Sequence, residues 1–196
     1  MLFRSRAVLG RLLVYDGPEG RVSGRIVETE AYRGARDPAS HAYRGLTPRN
    51  AVMFGPPGHA YIYFVYGAHF CLNLVTEPEG ISSAVLVRAL EPVEGLELML
   101  TRRPGREPER LARGPGSVAR ALGLGREHNG LDLTRGPLWV SHLPSLRGGL
   151  GVASGPRVGI RQGVHLPWRF FLAGHPCVSA SRRADSVGST PRRVPR

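Results

Sequence analysis

His59-Ala60-Tyr61-Ile62-Tyr63-Phe64-Val65-Tyr66 and His69-Phe70-Cys71-Leu72-Asn73-Leu74-Val75 are two aromatic and β-branched runs parted only by Gly67-Ala68. Such composition around so short a break reads as a tight antiparallel hairpin. Upstream, RLLVYD (11–16) and RVSGRIVETEA (21–31) flank a turn at Gly17–Gly20 and read as a second strand pair. Downstream, SAVLVRAL (83–90) reads as a buried strand that ends at Pro92. Residues 92–101 and 116–122 look helical, the second opening after Gly114-Pro115-Gly116, and LWVSH (138–142), RVGIR (157–161) and WRFFLAG (168–174) look like short strands. A loop rich in Gly, Pro and Arg joins Arg33 to about Pro57. Together these predict an α+β fold: one compact domain over residues 1–180, mostly antiparallel strands, a few helices and a protruding β-hairpin.

The 196 residues suffice for one domain with a sizeable core, so no disulfide or metal staple is needed. Cys71 and Cys177 lie far apart, and the 7 His show no ligand spacing, so no metal or cofactor is expected. No apolar run approaches membrane-span length, and no leader pattern opens the chain, so the expectation is a cytoplasmic monomer without membrane contact. All 27 basic residues are Arg, and the net charge is +12. Residues 1–50 carry 9 Arg against 5 acids, residues 51–100 carry 1 against 5, and residues 101–196 carry 17 against 5. Residues 181–196 form a basic tail, rich in Ser and Pro, with the composition of a disordered segment. Without the tail the body is still strongly basic, which favours a polyanionic partner and nucleic acid above all.

Several residues in this frame are equipped for chemistry. Strand alternation puts Ile26, Glu28, Glu30 and Tyr32 on one face. Two carboxylates at i and i+2 point the same way, so they cannot flank a scissile glycosidic bond as a hydrolase pair, although either can act as a lone general base. The bland alternative is a solvated strand face with ordinary surface acids. On the hairpin, Tyr61, Tyr63 and Val65 share one face and Ile62, Phe64 and Tyr66 the other; Tyr61 and Phe64 suit packing, but Tyr66 stands at the tip, where burial is hard. A projecting aromatic on a basic protein suits a wedge between bases. Asn73 interrupts an apolar strand and needs a partner if buried. Arg88, alone in AVLVRAL, needs a carboxylate such as Glu30 or Glu91. A helix opening Gly-Pro-Gly offers free amides to one phosphate, but the run Gly114-x-Gly116-x-x-Ala119 lacks the βαβ setting of a dinucleotide site.

IVETEAY (26–32), the His41 loop with TPRN (47–50), YIYFVYG (61–67), FCLNL (70–74) and RALEPVEG (88–95), followed in order by HNGLDLT (128–134), PLW (137–139) and PWRFF (167–171), resemble the alkyladenine (3-methyladenine) DNA glycosylase family. The resemblance runs from about Leu9 to Ser179. It implies double-stranded DNA with damaged purines as the partner, Glu30 as the general base, and Glu28 as its non-catalytic neighbour. It further implies that Tyr32, His41 and Tyr63 are walls around a flipped base, with the backbone at Ala39 and His41 on the base edge. Asn73 is implied to reject the guanine amino group, Tyr66 to fill the gap left in the duplex, and Arg88 to hold the water and the nucleotide phosphate. Thr47, Arg49 and Gly116 are implied to lie near DNA. Where the family commonly has Lys after Gly-Pro-Gly this chain has Ser117, leaving Arg113 or Arg120 as possible replacements. With no Lys there is no ε-amine for a Schiff base, so the expected reaction is monofunctional hydrolysis by water, without lyase activity. The alternatives are a non-catalytic binder of damaged or distorted DNA and, through Glu28 and Glu30, a carbohydrate hydrolase.

Overall fold

In the computed structural model, which describes residues 2–141 and 149–179, one long strand organises the sheet. The strands are β1 (Leu12–Gly17), β2 (Gly20–Tyr32), β3 (Ala60–Val65), β4 (His69–Val75), β5 (Ala84–Glu94), β6 (Leu138–Val140), β7 (Val152–Gly155) and β8 (Arg169–Leu172). The helices are α1 (Leu2–Ala7), α2 (Leu96–Arg102) and α3 (Pro115–Leu122). Every strand pair is antiparallel, in the order β3-β4-β5-β2-β1-β6, with β7 and β8 attached to β2 by way of β8. The predicted fold class is therefore observed.

β2 pairs with β5 along one edge; along the other it pairs with β1 as far as Arg25 and then with β8 from Glu28 to Glu30. Its second half is thus hydrogen-bonded on both sides and covered on both faces, and Glu28, Thr29, Glu30 and Ala31 have no exposed surface. The solvated-face alternative for Glu28 and Glu30 is overturned by this enclosure. The β2–β5 register slips three times, and the two slips beside Glu28 leave Val27 on β2 and Arg88 on β5 as extra residues. Bulges of this kind re-aim a side chain, and here the re-aimed one is the guanidinium of Arg88. The main core lies between this sheet and α3, whose buried side chains are Val118, Ala119, Ala121 and Leu122. A second, smaller cluster of Ala42, Met53, Tyr61, Val75 and Ala84 lies under the 33–57 segment, which contains two 3-10 turns, Gly34–Arg36 and Ala51–Phe54. Among the described residues no helix is long and apolar enough to cross a membrane.

The structure corrects two sequence expectations. The strand over 83–90 does not stop at Pro92 but continues to Glu94, with Val93 bulged out between Gly24↔Pro92 and Ser23↔Glu94, so the helix begins only at Leu96. Gly95 makes the junction with φ +73, where a Cβ would strike the Arg21 carbonyl. RVGIR (157–161) is an irregular loop, not a strand: the Val158 N–H goes to a carboxylate, Gly159 has φ +78, and Val152–Gly155 takes the ladder on β8 instead. The basic tail lies outside the described residues.

Candidate active site

A row of residues in register crosses the sheet: Tyr61 on β3 faces Asn73 on β4, Asn73 faces Leu86 on β5, and Leu86 faces Glu30 on β2. The first three line a cavity of about 830 Å³. Its other walls include Tyr32, Ala39, His41 and Tyr63, with Arg88 and Val158 at the Glu30 end and Tyr66, His69 and Gly116 toward the rim. The alternation of β2 and β3 and the bulge at Arg88 therefore deliver aromatic rings, an amide, a guanidinium and a carboxylate to one place.

Glu30 is not itself a wall residue. Its carboxylate lies directly behind three that are: it accepts hydrogen bonds from the Tyr32 hydroxyl at 2.9 Å and the Val158 N–H at 2.7 Å, and Arg88 Nη1 is 3.4 Å away. Burial raises its pKa above the usual carboxylate range, while Arg88, the Val158 amide and Tyr32 pull against that. Glu28 is occupied differently. Arg88 Nε (3.1 Å), Arg169 Nε (2.6 Å), the Ser179 N–H (2.7 Å) and the Ser179 hydroxyl (2.9 Å) all converge on it. Four donors from the protein thus occupy Glu28, three of them on Oε1 and one on Oε2. Arg88 bridges the two acids; burial works against its charge, but Glu30 and Glu28 hold its pKa above the ordinary value. Glu91, the other partner considered for Arg88, pairs with Arg25 instead.

The aromatic walls are mutually braced. His41 stands edge-on to Tyr63 with ring centroids 4.4 Å apart, and its Nδ1 is 3.1 Å from the Tyr61 hydroxyl. Although its edge is open to the cavity, the surrounding protein and the charge of Arg49 lower the His41 pKa, which favours a neutral ring. Burial pushes the Tyr61 phenol up to about 12 and raises that of Tyr63 as well. Asn73 Nδ2 donates to the Tyr61 carbonyl at 3.1 Å, which fixes its side chain in the wall. Tyr66 is 86% exposed at the hairpin tip, with φ +54 beside Gly67 at +65. The left-handed region costs an L-residue roughly 1–2 kcal/mol, so an exposed Tyr held there carries strain that packing does not explain.

Residues 3–176 match the family model described as Methylpurine-DNA glycosylase (MPG). The chain is 48% identical over 176 residues to a protein of Chlorobaculum tepidum (89% of this chain, 84% of the relative). It is 51% identical over 179 residues to one of Methanoculleus marisnigri (89% and 91%), and 46% over 186 residues to one of Methanocella arvoryzae (92% of each). All three relatives bear the name "Putative 3-methyladenine DNA glycosylase". This chain belongs to the methylpurine-DNA glycosylase family.

Within this glycosylase, the expected base-binding residues Tyr32, Ala39, His41, Tyr63 and Asn73 share one cavity with Arg88, Tyr66 and Gly116. Thr47 and Arg49 are not in its walls. Thr47 is exposed on the loop beyond Ala42, and Arg49 donates to the Phe64 carbonyl at 3.1 Å, which ties that loop to the hairpin. Of the two candidates to replace the lysine absent at Ser117, Arg113 is turned inward to the Val178 carbonyl at 2.7 Å, whereas Arg120 lines the cavity. Sequence reasoning missed Arg103 and Arg106, which join Arg120 and Arg161 at the rim. Burial and then the charges of Arg106 and Arg120 depress the pKa of Arg103, and none of Arg103, Arg106 and Arg120 has a carboxylate partner among the described residues. It also missed Asn50, whose amide donates to the His41 and Gly45 carbonyls and whose Oδ1 accepts from the Thr47 N–H, so that it shapes the loop carrying His41. Arg169 was missed too, although it is a lone cation in an apolar run, the same signal that singled out Arg88.

Proposed function

We propose that this methylpurine-DNA glycosylase extrudes alkylated or deaminated purines from duplex DNA into the aromatic cavity and hydrolyses the N-glycosidic bond with water activated by Glu30. The observation that carries this reading is the placement of one buried carboxylate directly behind Tyr32, Arg88 and Val158, at the inner end of a cavity with aromatic walls. Departure of the base builds positive charge on the sugar. A carboxylate beside C1′ stabilises that charge and accepts the proton of the attacking water. Arg88, held by Glu28, orients Glu30 and offers a cation to the nucleotide phosphate.

The walls suit the leaving group. An N3- or N7-alkylated purine is cationic, and the faces of Tyr32 and Tyr63 favour it by about 0.5–2 kcal/mol each. A neutral His41 lets such a base approach without repulsion. Unstacking the target costs a few kcal/mol, and Tyr66, exposed and fixed in direction by its strained turn, fills the gap and offsets part of that cost. The Asn73 amide, at the back of the wall, crowds a purine 2-amino group. The basic rim of Arg103, Arg106 and Arg120 supports DNA as the substrate. One chain supplies every group named, so a monomer suffices.

One observation favours the rival reading, a binder without chemistry: Glu30 has no exposed surface, its carboxylate being covered by Tyr32, Arg88 and Val158. Incubation with duplexes carrying 3-methyladenine, 7-methylguanine, hypoxanthine or ethenoadenine separates the two readings. The expected result is free base and alkali-labile abasic sites, with no borohydride-trapped adduct. Tight binding to every lesion without release of any base establishes the binder, and a trapped adduct overturns water as the nucleophile.

A further inference from the structure

We propose that the buried Arg157–Asp37 pair is a positioning device for Glu30, holding the Val158 amide on its carboxylate and the Tyr32 ring against the cavity. This inference rests on Glu30 acting as the base in the function proposed above. The pair is bidentate: Nη1 to Oδ2 at 2.5 Å and Nη2 to Oδ1 at 2.8 Å, with both side chains wholly buried. It ties three separate segments together. Arg157 Nη1 also donates to the Ala31 carbonyl at 2.9 Å, at the end of β2. Asp37 accepts from the Arg33 and Ala39 amides, which fixes the 33–39 segment. The 157–163 loop closes over the guanidinium, and at Gly163 (φ +62) a Cβ would lie 3.1 Å from Nη2. The guanidinium lies over the Tyr32 ring (4.7 Å to the centroid) and the Trp168 ring (5.1 Å). Each segment supplies the cavity with a wall: Tyr32 from the strand, Pro38 and Ala39 from the first loop, Val158 to Gln162 from the second.

Stability alone does not account for this pair. Arg157 Nε is buried with no hydrogen-bond partner, so the site bears the desolvation of a charge and of an unsatisfied donor. Well-packed apolar side chains in place of a buried ion pair are often neutral or stabilising. What apolar side chains cannot do is hold the next residue's N–H on Glu30 Oε1. Hydrogen bonds to the charged form lower a carboxyl pKa, and the Val158 amide is among the groups that restrain the upward pull of burial on Glu30. The other groups facing Glu30 are Glu28 and Tyr32 on β2, Arg88 on β5, Arg169 opposite on β8, Tyr63 on β3 and Cys71 on β4; of these, Tyr32 touches the Arg157 guanidinium and is released together with the Val158 amide when Arg157 is replaced.

The test is Arg157→Met paired with Asp37→Leu, an apolar pair of comparable bulk, alongside Gly163→Ala, which displaces the guanidinium without removing it. Single-turnover base release is followed from pH 4 to 9, and duplex affinity is measured separately. The expected result is slower release, an acidic limb moved upward by about one pH unit, and duplex affinity within about threefold of the parent. If the double variant does not fold, Gly163→Ala is expected to show the same direction of shift. A uniform loss of rate with the limb unmoved overturns the inference and leaves Glu30 as the base. Absence of any base release by the parent protein defeats the proposed function itself, a separate outcome.

Discussion

Replacing Glu28 and Glu30 one at a time by glutamine makes the same chemical change two residues apart on one strand, with opposite expected consequences for stability. Glu28 neutralises Arg169, whose other described acceptor is the Ser179 carbonyl at 2.9 Å, and shares Arg88 with Glu30. Glu28→Gln leaves Arg88 a carboxylate but leaves Arg169, which is 1% exposed, without one. Removing one partner of a buried pair costs about 3–5 kcal/mol, and because Gln keeps the shape and some hydrogen bonds the low end applies. For a domain of this size about 3 kcal/mol corresponds to roughly 6–12 °C in Tm. Glu30 behaves otherwise. Burial raises its pKa, so the ionised form is the one that folding disfavours. That penalty is absent below the usual carboxylate range, where Glu30 is protonated in both states, and is fully present above its raised folded value. Glu30→Gln is therefore expected to melt at or above the parent temperature at pH 7, with the difference shrinking as the pH falls through the carboxylate range. Thermal unfolding by circular dichroism at pH 7 and pH 4.5 reads both effects. A Glu28→Gln variant within about 2 °C of the parent, or a Glu30→Gln variant destabilised as much as Glu28→Gln, refutes the division into a structural and a chemical glutamate.

Two further outcomes follow from the rim and the hairpin. Tyr66→Gly relieves a left-handed residue that makes little packing contact, so Tm is expected to stay level or rise by the equivalent of about 1 kcal/mol while base release from duplex slows; a lower Tm would show that the ring supports the fold. Arg103→Gln combined with Arg106→Gln is expected to weaken binding to damaged and undamaged duplex alike and to flatten the dependence of log Kd on log salt by about 0.9 for each phosphate no longer neutralised. An unchanged slope places the DNA elsewhere.

The two hairpins were legible because alternation and tight Gly-containing turns are local signals, and the second of them carries Tyr61, Tyr63, Tyr66 and Asn73 to their places. Glu30 was legible as a base only through the resemblance, since alternation alone left Glu28 and Glu30 equivalent. What distinguishes them is β8, which arrives from more than 130 residues away to cover β2 and brings Arg169 to Glu28, and the segment after it, which brings Ser179. No local pattern announces that pairing. RVGIR misled because apolar residues at alternate positions mimic a strand, whereas Gly159 and Gly163 permit a loop that spends its backbone donor on Glu30 and buries its arginine against Asp37. Pro92 misled in the opposite sense: a bulge at Val93 lets the strand pass the proline.

The most direct measurement compares single-turnover release of 3-methyladenine from duplex by the parent protein and by Glu30→Gln, with duplex affinity determined in parallel. Removing a general base is expected to slow release by about 10²–10⁴-fold while affinity for the lesion is kept. Release by Glu30→Gln at the parent rate would contradict the assignment of the buried carboxylate as the group that activates water.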